Sequence, residues 1–98
     1  IQMELTEDQV YTEKTFVIKN KLGLHARAAS QFVQIANNFD AEIFVTRNEQ
    51  EVNGKSIMGI LILAAAKGTQ ITVRATGSDA DGAVAALGEL IDQGFGED

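Results

Sequence analysis

Ninety-eight residues, 45% of them hydrophobic, with no proline and no long apolar run, describe one soluble globular domain with a modest core and no membrane span. A net charge of −6 argues against nonspecific binding to nucleic acid or to an anionic membrane surface. The absence of cysteine removes disulfides and thiolate chemistry, and a single histidine argues against a zinc site, so no metal and no cofactor is expected.

Residues 1–12 are polar and acidic without sustained periodicity; Ile1 is not a translational start and Met3 is a candidate one, so this stretch reads as an N-terminal extension, expected to be mobile, ahead of a domain over 13–98. No signal or transit peptide is recognisable. From Glu13 to Asn20, Phe16 and Ile18 alternate with Thr15, Val17 and Lys19, the pattern of a half-buried strand. Lys21-Leu22-Gly23-Leu24 then delivers His25, the only side chain here whose ordinary titration range lies near neutrality. Ala29, Phe32, Val33 and Ala36 recur at helical spacing, which predicts a helix from about Arg27 to Asn38, stopped by Asn37-Asn38 in a left-handed turn. The histidine therefore sits where a loop enters a helix, and free N–H groups with Arg27 nearby could receive an anion. The plainer reading is a solvated His–Arg pair.

Ala41, Ile43 and Val45 face inward on a second strand that Asn48-Glu49 turns into a short third one around Glu51 to Asn53. Asn53-Gly54 is a turn signal leading into Ser56, a natural N-cap for a helix over Ile57 to Ala64 that Lys67-Gly68 would close. The run Ile57 to Leu63 is too apolar to be wholly buried in so short a helix, and Met58 and Leu61 are the candidates for an exposed partner surface. Ile71, Val73 and Ala75 mark the last strand. Ser78 is the candidate cap of the final helix, whose inner stripe is Ala80, Ala83, Val84, Leu87, Leu90 and Ile91 and whose end is Gly94. The order βαββαβα describes an α+β sandwich, a four-stranded antiparallel sheet covered on one face by three helices. Nothing fits a Walker or dinucleotide fingerprint, and Lys19, Lys21, Arg27 and Lys55 could form a basic rim for an acidic partner.

Two segments make the chain less anonymous. Gly23-Leu24-His25-Ala26-Arg27 resembles the active-site motif of the HPr family, histidine-containing phosphocarriers of the bacterial phosphotransferase system, and Lys55-Ser56-Ile57-Met58-Gly59 resembles that family's regulatory serine motif at the required distance. The resemblance runs from about Glu13 to Asp98 and implies the open-faced β-sandwich already reached from periodicity. It implies a cytoplasmic, monomeric carrier in a relay rather than a stand-alone enzyme: His25 accepts a phosphoryl group from the phosphoenolpyruvate-dependent enzyme I and passes it to acceptors of the enzyme IIA type, while Arg27 stabilises the phosphate. Ser56 is implied as a regulatory phosphorylation site for a seryl kinase/phosphorylase, and Ala26, Ser30, Gln34, Ile57, Met58 and Leu61 as partner-binding residues. Ala28 stands where the family usually has proline. The rival is an HPr-like regulatory module that acts through Ser56 and docking, although such members tend to lose the histidine kept here.

Overall fold

The alternation of apolar and polar residues and the helical stripes are realised as four strands and three helices in the computed structural model, which describes residues 11–97. In chain order they are β1 (Thr12–Val17), α1 (Ala26–Ala36), β2 (Glu42–Arg47), β3 (Gln50–Asn53), α2 (Ile57–Leu63), β4 (Gln70–Thr76) and α3 (Ala80–Asp92), followed by a 3₁₀ turn at Gly94–Gly96. The expected extension falls outside the described residues except for Tyr11 and Thr12, and Thr12 already pairs in β1. Among the described residues no helix is long and apolar enough to cross a membrane.

The sheet is antiparallel throughout, in the order β1-β4-β2-β3, with Phe16 opposite Ile71 and Val45 opposite both Val73 and Val52. Period-two alternation sends Phe16, Ile43, Val45, Ile71, Val73 and Ala75 into the core, where they meet Phe32, Ile60, Leu63, Leu87 and Ile91 of the helices. The sheet's other face is open and polar: Thr15 and Thr72 hydrogen-bond across strands at 2.9 Å, and Arg74 lies over the rings of Tyr11 and Phe44 while reaching Glu51. Gly88 fills a place in the inner stripe of α3 because a Cβ there would stand 2.5 Å from the Phe16 ring. Leu90 is only half-buried.

Three boundaries differ from expectation. Helix α1 ends at Ala36, and Asn37 stays right-handed with its N–H shared between the Val33 and Ile35 carbonyls, so no left-handed asparagine stops it. Helix α2 ends at Leu63 because Ala64 adopts φ 49°, the left-handed cap; Lys67-Gly68 belongs instead to the turn entering β4. Ser78 does not cap α3. Asp79 occupies the cap position, and its carboxylate makes no cap bond but accepts the backbone N–H groups of Asp40 (2.8 Å) and Ala41 (2.9 Å), tying the start of α3 to the start of β2. Those N–H donors, Asp40's foremost, hold the Asp79 carboxyl below its ordinary value.

Candidate functional site

The loop that carries His25 is stitched to the far end of the neighbouring helix. Ile18 N–H donates to the Thr69 carbonyl, Gly68 N–H to the Ile18 carbonyl, and Leu24 N–H to the Ala65 carbonyl, each at 2.8–2.9 Å. Between them Gly23 turns at φ 65°, and its missing side chain makes room for the Ala65 carbonyl oxygen. Leu24 is buried, so the next residue is delivered to the surface with its backbone already fixed.

His25 is the N-cap of α1: its backbone is extended (φ −76°, ψ −179°) and its carbonyl takes the first helical bond, from Ala29 N–H at 2.8 Å. The ring acts as the capping side chain, with Nδ1 accepting the Arg27 N–H at 3.3 Å. A backbone N–H can only donate, so Nδ1 presents its lone pair to the helix start and the proton of the neutral ring lies on Nε2. That proton faces the Glu97 carboxylate, whose two oxygens stand 2.9 and 3.0 Å from Nε2. The N–H groups of Ala26, Arg27 and Ala28 all precede the first i→i−4 bond, where the helix is electropositive.

Glu97 is itself held. Asn20, 1% exposed and the one buried polar residue among the described residues, donates one amide hydrogen to Glu97 Oε1 and the other to the Gly23 carbonyl, both at 2.8 Å. The Asn20 bond, the His25 bond and the charge of Arg27 together keep the Glu97 carboxyl below its usual range, so it is a carboxylate at neutral pH. The His25 and Glu97 side chains are 27% and 17% exposed. Nothing local marks Glu97 in the sequence: it lies 72 residues from His25, in one of several acidic stretches. The nearest signal is Gly94-Phe95-Gly96, whose glycines permit the positive φ values that bend the chain back.

Arg27 and Ala26 are exposed beside the histidine, Ser30 is half-buried, and Gln34 is exposed further along α1. Lys19 pairs with Asp92 (3.3 Å) and Lys55 donates to the Phe39 carbonyl (2.7 Å), so two of the four cations expected to form a basic rim are engaged within the chain. Ser56 caps α2 as expected, its Oγ accepting the Gly59 N–H at 3.0 Å. Ser56 opens α2, whereas Ala65, which anchors the histidine loop, follows its other end, roughly 10 Å of helix away. The apolar surface of α2 consists of Ile57, Met58 (68% exposed) and Ile62 (56%); Leu61, the expected member, is half-buried against the core. Leu22 adds an exposed apolar side chain in the histidine loop.

The family model described as the phosphorylation site of the PTS HPr component matches residues 12–93. A phosphocarrier protein HPr of Neisseria meningitidis serogroup A is 52% identical over 85 residues, which cover 87% of this chain and 96% of that protein. The crystal structure of an HPr from Thermoanaerobacter tengcongensis superposes with a TM-score of 0.86 at 46% identity, covering 89% of this chain and 98% of that one. A dimeric HPr structure from the same organism gives a TM-score of 0.72 at 42% identity over 98% of this chain and 100% of that one.

Proposed function

The chain belongs to the HPr family and is a phosphocarrier of the phosphotransferase system, and from that premise we propose that the phosphoryl group travels on His25. The observation that carries this reading is the direction of the Nδ1 lone pair, toward the start of α1. A phosphoryl group bonded there would lie among the N–H groups of the first turn, with the Arg27 guanidinium beside it to share its charge. Acceptance forms a bond from Nδ1 to phosphorus as the donor's leaving atom departs with its electron pair, and onward transfer reverses the roles. Ala26 and Ser30 are small enough to let a second protein reach the ring.

Enzyme I is the donor we propose, and proteins of the enzyme IIA type the acceptors, in the cytoplasm where phosphoenolpyruvate is made. Ile57 and Met58, with Leu61 behind them, form the apolar part of the docking face. One copy carries every group named, so a monomer suffices. We assign Ser56 a regulatory role through phosphorylation, acting on docking.

Incubation with phosphoenolpyruvate and enzyme I tests the reading. An acid-labile phosphoryl group is expected on the native chain and is expected to be lost in His25→Ala, with the fold kept, because a partly exposed loop histidine contributes little packing. No label, or an acid-stable one, would favour the regulatory module instead.

A further inference from the structure

We infer that Glu97 is a positioning residue for phosphoryl transfer, a carboxylate on the far ring nitrogen that orients the His25 imidazole and keeps its Nε2 proton in place through the reaction. This rests on His25 being the phosphoryl acceptor. The matched family segment ends at residue 93, so the assignment concerns a part of the chain that the family model does not reach.

Three observations point the same way. Both carboxylate oxygens lie within hydrogen-bond distance of Nε2, so the ring meets the carboxylate as a two-oxygen cradle. The carboxylate is aimed from behind by Asn20, the one buried polar residue among the described residues; it spends both amide hydrogens on the histidine loop and on Glu97, joining the two into one unit. The backbone that presents Glu97 runs through three successive residues of positive φ, Gly94 (63°), Phe95 (57°) and Gly96 (74°). Phe95 has a side chain and accepts that conformation while burying its ring, 3% exposed, in the core. A tail of no consequence needs neither the strained anchor nor the buried amide.

The chemistry follows from charge. When the Nδ1 lone pair becomes a bond to phosphorus, the donor's leaving atom takes its own electron pair and the imidazole ring becomes cationic. The Nε2 proton stays where it was. Glu97 meets the new positive charge at hydrogen-bond distance, so it stabilises the transition state for acceptance more than the resting ring. With the proton retained, the ring later departs as a neutral imidazole when the Nδ1–P electrons return to it. Without Glu97 the phosphorylated ring can give that proton to water, and the leaving group is poorer. The positive charge of Arg27 also favours the ionised Glu97 carboxylate.

Two variants test this with enzyme I as donor. Glu97→Ala should lower kcat for His25 phosphorylation roughly tenfold, the low end of what losing a histidine-orienting carboxylate costs in metal sites. KM for the donor should stay near the native value, and the hydrogen-bonded Nε2 proton, visible by NMR in the native chain, should disappear. Glu97→Gln keeps an oxygen for both Asn20 and the ring and keeps the turn, but not the charge. It should retain the Nε2 resonance and still lower kcat at unchanged KM. Normal kcat in Glu97→Gln, or an Nε2 resonance that survives in Glu97→Ala, would overturn the inference while His25 still carried label. Absence of label in the native chain would instead overturn the assignment of His25.

Discussion

At Gly23 the backbone takes φ 65° and a Cβ would run into the Ala65 carbonyl oxygen, which accepts the Leu24 N–H. Gly23→Ala therefore meets a left-handed conformation, at a cost of about 1–2 kcal/mol, and also a backbone collision that only movement of the loop relieves. The expected result is a thermal midpoint lower by several degrees together with slower phosphorylation of His25; circular dichroism and a labelling time course measure the two. A native rate in the substituted chain would mean that the loop does not set the ring's position. The same residue shows how far the site could be read in advance. Glycine before a lone histidine at a helix start is a local pattern, so the placing of His25 and Arg27 at the entry into α1 was legible. Asn20 and Glu97 were not, since what joins them to His25 is a fold that brings residues 20, 25 and 97 together.

Helix α2 shows a similar division between local and distant causes. Its start follows from Ser56 and its apolar character from the run Ile57 to Leu63, both visible in the chain. Its end does not, because Ala64 has no evident liking for φ 49° and takes it where the chain turns toward Ala65 and the histidine loop. Which apolar side chains are exposed likewise depends on how α2 rolls against α1 and β3, and the roll leaves Leu61 half-buried against the core and Ile62 outside. Placing negative charge at Ser56 should leave this helix intact, since the N-terminal end tolerates an anion. Ser56→Asp is expected to reduce the rate of His25 phosphorylation with little change in midpoint temperature, by setting a charge at the rim of the exposed Ile57 and Met58. Ser56→Ala, which removes the cap, should cost about 1 kcal/mol and leave docking unharmed. A Ser56→Asp chain that slowed only in proportion to lost stability would reduce Ser56 to its structural task.

Across the whole molecule the four strands, the β2–β3 hairpin and the covering of one face were legible, because alternation and helical stripes each specify which side is wet. The tie between α3 and β2 was not. Nothing local marks Asp79 for this task, since its carboxylate serves Asp40 and Ala41, thirty-odd residues earlier. This gives acid stability a definite sign. The folded carboxyls of Asp79 and Glu97 titrate below their ordinary values of 3.8 and 4.5. Their contribution is complete above the ordinary values and drains away as pH falls through the depressed folded ones, where the unfolded chain binds more protons. The native midpoint should therefore drop below about pH 4, and Asp79→Asn should begin lower at neutral pH and fall less steeply on acidification; a pH series of melts decides it. The sheet order has a consequence in time. Strand β1 has β4 as its neighbour, and Phe16 waits for Ile71, so during synthesis the first strand made stays unpaired, its apolar side uncovered, until more than fifty further residues have left the ribosome. The histidine loop, hung between β1 and the residues that follow α2, is completed in that same late step, and a nascent chain thus fixes the backbone around His25 only when its sheet closes.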